Sequence, residues 1–121
     1  MFIVDVMFKF EELNVYQEAL VFVDWIYLNT NKWPKEETFG LTSQLRRASV
    51  SIVLNLAEGS SRTKKDFRHF LDLARGSCYE CVSVIQIARK RMYISETEYN
   101  KAYDFCSKLS KMISALKNSI R

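Results

Sequence analysis

Apolar residues between positions 67 and 92 recur at steps of three and four, the spacing that places side chains on one face of an α-helix. A strand does not fit this pattern, because its side chains alternate between two faces with a period of two. A helix of this length must cover its apolar face with other helices, so the pattern predicts an all-α protein. The stripe consists of Phe67, Phe70, Leu71, Ala74, Cys78, Cys81, Ile85, Ala88 and Met92.

Three other segments have the same periodicity, and clear start or stop signals separate them. The first runs from about residue 11 to 29, and the second, from about 41 to 58, ends at Gly59-Ser60-Ser61. Thr63-Lys-Lys-Asp66 and Ser95-Glu-Thr-Glu98 are N-terminal capping signals for the remaining two. One proline and three glycines leave no room for long loops. Four long helices with short connections predict an antiparallel up-and-down four-helix bundle.

We expect one domain over residues 1–121, with residues 1–7 as an extended or disordered tail and Met7 as an alternative start. The first helix carries two neighbouring apolar stripes, and the fourth carries one. These are Leu13, Tyr16, Leu20, Val23 and Tyr27; Val15, Ala19, Phe22 and Ile26; and Tyr99, Ala102, Cys106, Leu109, Ile113, Leu116 and Ile120.

The N-terminus and the cysteines indicate a cytoplasmic protein. MFIVDVMFKF is apolar, but it has no basic leading region and no small-residue cleavage site, so we do not expect a signal peptide. Three cysteines are an odd number, which does not favour a disulfide framework. No segment approaches the ~20 apolar residues of a membrane span, so we expect no membrane partner.

Residue types that carry catalysis or bind metals are present, but their spacing does not assemble a site. Cys78-Tyr-Glu-Cys81 has C-x-x-C spacing, yet both cysteines fall on the core stripe, and we interpret them as buried structural residues. The one histidine, His69, is predicted to point away from that stripe, without a second acid–histidine pair. We therefore predict no catalytic residues, no metal, no cofactor and no enzymatic activity.

The charge is unevenly distributed along the chain. The formal net charge is +4, but residues 1–37 carry −4 and residues 38–121 carry +8. A basic body favours acidic partners, and a cluster around the end of the second helix could contact phosphates of RNA. The alternative is a set of solvated helix faces. The candidate nucleic-acid-binding residues are Arg46, Arg62, Lys64, Lys65 and Arg68.

A narrow polar line runs along the second helix, QLRRASVSIVLNLAE, between two apolar flanks. At ~100° per residue the polar side chains fall within an arc of about 80°. Because one flank faces the core, the other needs a partner chain or another element, and the line between them is partly buried. We favour oligomer assembly over a solvated strip. The line consists of Gln44, Arg47, Ser51, Asn55 and Glu58, followed by Gly59.

Three stretches, YQEALVFVDWIYLNT, FGLTSQLRRASVSIVLNLAEGSSR and DFRHFLDLARGSCYEC, resemble the bundle proteins encoded in intervening sequences of bacterial 23S ribosomal RNA genes. The most specific part is G-L-x-x-Q-x-R-R-A-x-x-S-I-x-x-N-x-A-E-G, from Gly40 to Gly59. Val53 replaces a proline that is usual in the family, Leu56 an isoleucine, and Tyr16 a common tryptophan.

The resemblance implies a homo-oligomer, typically a pentamer, and a relation to the accessory bundle proteins of diversity-generating retroelements. It implies no settled biochemical activity. The sequence and the resemblance together lead us to expect a non-enzymatic homo-oligomeric bundle that binds RNA, or a protein that handles nucleic acid, through a basic surface. The alternative is a structural or protein-interaction scaffold with no role in nucleic-acid binding.

Overall fold

The computed structural model describes residues 8–121, so the expected N-terminal tail lies outside the described part of the chain. Four α-helices form this part, and none of its residues belongs to a β-strand. Short 3-10 helices, Lys9–Glu12 and Lys35–Glu37, precede the first and the second α-helix. The prediction of an all-α bundle is confirmed. The helices are α1 Asn14–Thr30, α2 Leu41–Ser60, α3 Lys64–Lys90 and α4 Glu96–Ser119.

Each helix packs against the next along the chain, and α1 also contacts α4, which closes an up-and-down bundle. The contact between α2 and α3 is the most extensive. Every helix contributes large, fully buried side chains to one core, including Phe22, Ile52, Leu71 and Leu109. The apolar faces of α2, α3 and α4 and the Val15–Ile26 stripe of α1 form this core, and Leu13, Tyr16 and Val23 of the other α1 stripe pack against it.

Both predicted capping signals are present at helix starts. The Thr63 hydroxyl accepts a hydrogen bond from the Asp66 N–H at 3.2 Å. The Ser95 hydroxyl accepts one from the Glu98 N–H at 3.1 Å, and the Glu98 carboxylate accepts one from the Ser95 N–H at 2.9 Å. These bonds satisfy N–H groups that have no partner in the first turn of a helix.

The structure distinguishes the two apolar stripes of α1 and shows that one prediction about the end of α3 is wrong. On α1 the Val15–Ile26 stripe is buried, whereas Leu20 and Tyr27 of the neighbouring stripe are exposed. Met92, assigned to the core stripe of α3, is 87% exposed and has a φ of 61°. The physical reason is that α3 ends at Lys90 in a Schellman motif, in which the Tyr93 N–H bonds to the Ala88 carbonyl at 2.9 Å.

Gly59, in the last turn of α2, is a point of very close approach to α3. A Cβ atom at this position would lie 2.6 Å from the Phe70 Cβ and 3.0 Å from the Phe67 Cδ1. Real Cβ atoms do not approach a neighbouring carbon so closely, so only glycine fits without a shift of one helix. The connection from Ser61 to Thr63 is short because the two helix ends are in contact at this point.

The Gly59→Ala substitution should therefore destabilise the protein, by about 1–3 kcal/mol, the usual effect of overpacking a filled site. This loss exceeds the roughly 1 kcal/mol by which alanine favours a helix over glycine. Urea unfolding measures the difference. The control is Gly76→Ala, because no neighbouring atom lies within 4 Å of the new methyl group. It should stabilise by about 0.5–1 kcal/mol. Equal effects of the two substitutions would contradict the close approach.

Glu37 joins the connection before α2 to the connection after α3. Its carboxylate accepts hydrogen bonds from the Leu41 N–H at 3.1 Å and from the Tyr93 hydroxyl at 2.9 Å. These two bonds, the Leu41 bond first, hold the pKa of Glu37 below its ordinary value of 4.5, and the nearby Arg91 charge adds to the effect. Glu37 thus both caps α2 and attaches its start to the α3–α4 turn.

The lowered pKa of Glu37 makes this link dependent on pH. Its contribution to stability is complete above the ordinary value of 4.5 and is lost as the pH falls through the lower folded-state pKa. Glu37→Gln should melt at a lower temperature than the wild type at pH 7, and the gap should shrink from about pH 5 downward. Glu36→Gln is the matched control, because Glu36 is exposed and its side chain makes no hydrogen bond to another residue of the range 8–121. A constant gap for Glu37→Gln between pH 7 and pH 3 would argue against the link.

Candidate functional site

The polar line of α2 lies along the outer groove between α2 and α3. Gln44, Arg47 and Glu58 are exposed, and Ser51 and Asn55 are half-buried where the two helices approach. Gly59 is buried at the lower end of the same groove. The structure therefore brings the six residues together along one groove, and α3 supplies the second element beside the line.

Hydrogen bonds within the groove connect the middle of the polar line to α3. The Asn55 amide donates to the Ser51 carbonyl at 2.8 Å and to the Ser51 hydroxyl at 3.0 Å. The Ser77 hydroxyl of α3 donates to the same Ser51 hydroxyl at 3.0 Å. Glu58 pairs with Arg62 at 2.7 Å, one turn further along, and not with Arg47. Hence Ser51 and Asn55 have partners inside one chain, as half-buried polar groups require.

The two apolar flanks of α2 have different environments. One flank enters the core: Leu45, Ala48, Ile52 and Leu56 are buried and Leu41 is half-buried. On the other flank Val53 is buried, Val50 and Ala57 are half-buried, and Leu54 is 60% exposed.

The exposed part of this second flank continues onto α1. The Arg46 guanidinium lies 4.6 Å from the centre of the Tyr27 ring, which fixes how the two antiparallel helices align. Leu20, two turns before Tyr27, therefore lies beside the part of α2 that carries Leu54. We call the surface formed by Leu20, Tyr27, Val50 and Leu54 the α1–α2 face. Leu20, Tyr27 and Leu54 are exposed and Val50 is half-buried, while the Arg46 guanidinium lies over the Tyr27 ring at one end of the face.

Arg46 contacts the end of α1 and lies apart from the other candidate basic residues. Its Nε donates to the Thr30 hydroxyl at 2.9 Å, and its Nη2 donates to the Asn31 side-chain oxygen at 3.0 Å and to the Tyr27 carbonyl at 3.3 Å. Together with its position over the Tyr27 ring, these bonds give Arg46 a role in packing α2 against α1. A phosphate contact from Arg46 stays a prediction.

The other four basic residues lie together where α2 ends and α3 begins. Arg68 donates to the carbonyls of Lys117 at 2.8 Å and Ile120 at 3.0 Å, and so caps the end of α4. Arg62 pairs with Glu58 and lies 5.4 Å from the centre of the Phe70 ring. Lys64 and Lys65 are exposed and make no ion pair with another described residue.

A cavity of about 470 Å³ opens at the upper end of the α2–α3 groove, and no sequence pattern indicates it. The most conspicuous residue in its wall is Phe39, whose side chain is 97% exposed. The residue type alone does not show whether a phenylalanine is buried or exposed, and Phe39 lies outside the periodic helical segments. We call this feature the Phe39 cavity. Its lining consists of Phe39, Gly40, Ser43, Gln44, Arg47, Ala48, Ser51 and Glu80.

The three cysteines are buried and form no disulfide. Burial and the nearby Cys106 thiol raise the pKa of Cys78 to about 12, and the Arg75 charge opposes this rise only in part. Contact with Cys106 and burial raise the pKa of Cys81 as well. Thiols in this state are protonated near neutral pH and react poorly as nucleophiles. His69 is exposed, as predicted.

The described residues contain neither a cluster of metal-binding side chains nor a helix that could span a membrane. Within residues 8–121, no three side chains among histidine, cysteine, aspartate and glutamate are grouped closely enough to bind a metal ion. In the same part of the chain, no helix combines the length and the apolar character needed to cross a membrane.

The chain matches a protein family in sequence and a solved structure in fold. Residues 11–115 match the family described as 23S rRNA-intervening sequence protein. No curated protein matches the chain. A crystal structure from Bacteroides thetaiotaomicron VPI-5482, of a protein with unknown function from the S23 ribosomal protein family, has a TM-score of 0.79 and 19% identity. The match covers 87% of this chain and 96% of that chain, and at this identity it establishes the fold alone. Because the family match spans nearly all of the described residues, the chain belongs to the family of 23S rRNA-intervening sequence proteins.

Proposed function

We propose that the protein is a non-enzymatic, homo-oligomeric helical bundle that binds RNA through the junction of α2 and α3. The observation that carries this proposal is the position of Lys64 and Lys65. Both are exposed at the first turn of α3, and neither forms an ion pair with a described residue. The name of the family, which refers to 23S rRNA, supports RNA over other polyanions.

The electrostatics of this junction favour phosphate. Between residues 58 and 68 there are four basic and two acidic residues, a local net charge of +2. Lys64 and Lys65 lie in the first turn of α3, where the free N–H groups and the positive end of the helix dipole also favour an anion. Arg62 stands beside them, although Glu58 neutralises part of its charge. We call the group of Arg62, Lys64 and Lys65 the basic end of the groove.

Replacing Lys64 and Lys65 together by Glu should weaken RNA binding at least about tenfold at low salt, and should lower the slope of log affinity against log salt by about 2. The physical reason is the loss of two phosphate contacts. Arg68 is left unchanged, because it caps α4 and its loss would disturb the fold. Filter binding or fluorescence anisotropy across a salt series measures both quantities.

The matched control for this experiment is the double substitution Lys101→Glu and Lys111→Glu. Both lysines are exposed on α4, and the change in net charge is the same. An equal loss of affinity in both double variants would show that net charge alone attracts the RNA, and would contradict the assignment to the basic end. Wild-type protein that binds no RNA at low salt would contradict the proposed function itself.

The α1–α2 face supports the second part of the proposal, assembly with further copies of the chain. Apolar side chains that stay exposed beside one another are typical of an interface. In a single chain Leu54 is 60% exposed, and Leu20 and Tyr27 are 40% and 41% exposed. A second copy that covers this face would remove them from water. The pentamer implied by the family resemblance is the assembly we propose.

Leu54→Gln should lower the mass of the oligomer, measured by analytical ultracentrifugation, and should make the melting temperature depend more strongly on concentration. In an isolated chain the same change at an exposed site should alter stability by less than about 0.5 kcal/mol.

Leu28→Gln is the control for Leu54→Gln. Leu28 is 64% exposed, but it lies one residue beyond Tyr27 and therefore turns away from α2. If the wild type, Leu54→Gln and Leu28→Gln all form oligomers of the same mass, a contact between copies through the α1–α2 face is contradicted. If RNA binding fails while this face still controls assembly, a protein-interaction scaffold becomes the better description.

A further inference from the structure

We propose that the Phe39 cavity holds an unpaired nucleobase of bound RNA, with the Phe39 ring as the surface on which the base stacks. This inference rests on the proposed RNA binding and adds a second contact region at the opposite end of the α2–α3 groove. The ligand class it specifies is single-stranded or looped RNA, because the bases of a duplex are stacked on each other and are not available to an aromatic side chain.

The exposure of Phe39 is the first support for the proposal. A phenylalanine that is 97% exposed contributes almost nothing to the core of its own chain. A flat ring that faces open space is, however, what base stacking requires, since every base has a π-face.

The backbone that carries Phe39 is held in place, so the ring is presented from a fixed point. The Gly40 N–H donates to the Glu37 carbonyl at 2.9 Å, which closes a turn around Phe39. The Glu37 carboxylate is held in turn by Leu41 and Tyr93. A contact group on a rigid support loses less conformational entropy on binding than one on a mobile loop.

The other cavity walls offer the polar groups that a nucleotide needs. Ser43, Gln44, Arg47 and Glu80 line the cavity, and none of their side chains makes a hydrogen bond to another described residue. The Gln44 amide can both donate to and accept from a base edge, and the Arg47 guanidinium suits a phosphate. An ionised Glu80 carboxylate accepts hydrogen bonds and donates none. It therefore favours the amino group of a base or the ribose 2′-hydroxyl, and it repels phosphate.

The position of the cavity relative to the basic end allows one strand of RNA to contact both. Arg47 lies thirteen residues before Ser60, which is about 20 Å along α2 at 1.5 Å per residue. The polar line fills the interval, with Ser51 and Asn55 half-buried in the groove. The cavity and the basic end are therefore close enough for a single strand a few nucleotides long to contact both.

The experiment uses full-length protein and single-stranded RNA oligonucleotides that contain 2-aminopurine, a fluorescent base whose emission falls when it stacks. Wild-type protein should quench the emission. Phe39→Ala should abolish the quenching and weaken binding about tenfold, the lower part of the range for loss of one stacked base. Phe39→Tyr should retain both. The salt slope should stay as in the wild type, because no phosphate contact is removed.

Phe8→Ala is the control, because Phe8 is also exposed, at 59%, but lies before α1 at the other end of the bundle. Unchanged quenching and affinity in Phe39→Ala would overturn the proposal while leaving RNA binding at the basic end intact. A fall in oligomer mass in Phe39→Ala would also overturn it, since the ring would then be a contact between copies. Failure of the wild type to bind RNA at all would instead remove the proposed function on which the inference rests.

Discussion

At Gly59 the backbone of α2 approaches α3 so closely that a methyl group would lie 2.6 Å from the Phe70 Cβ. This contact fixes the distance between the two helices at the end where the chain passes from one to the other. Lys64 and Lys65, in the first turn of α3 just beyond this contact, are exposed. Further along the same two helices, the hydroxyls of Ser51 and Ser77 meet at 3.0 Å. Both contact regions proposed for RNA thus depend on the α2–α3 packing.

The polar line on α2 has a simpler explanation than assembly for part of its length. Asn55 bonds to Ser51, and Ser51 also bonds to Ser77 of α3, so the middle of the line has its partners within the same chain. Gln44 and Arg47, by contrast, are exposed and make no side-chain hydrogen bond within residues 8–121. One line therefore combines two kinds of residue: a structural middle that pairs α2 with α3, and an upper end whose donors and acceptors are available to a ligand or to another copy.

Local signals in the sequence predicted the fold well, and long-range contacts explain what they missed. The capping residues Thr63 and Ser95 bond to atoms three residues away, so their role is visible in the sequence itself. The bonds of Arg46 to the end of α1 and of Arg68 to the end of α4 join residues 15 to 52 positions apart, and no spacing rule identifies them. Periodicity predicts Met92 in the core because it does not show where a helix stops when the C-terminal position lacks glycine. The exposure of Phe39 was missed because it depends on the packing of several elements.

The net charge of a chain is a poor guide to the charge that a ligand meets. Arg46 and Arg68 use their donors on groups of their own chain, and Arg89 pairs with Glu96 at 2.7 Å and lies 4.3 Å from the centre of the Tyr99 ring. A guanidinium bound in this way would have to break those bonds before it could bind a phosphate. Lys64 and Lys65 have no such ion pair with a described residue to break. Two available lysines and one half-neutralised arginine make a weak site for a duplex, whose affinity grows with the number of phosphates contacted. A stacked base adds affinity that does not depend on salt, so a groove with few cations and one exposed ring is better suited to an unpaired strand.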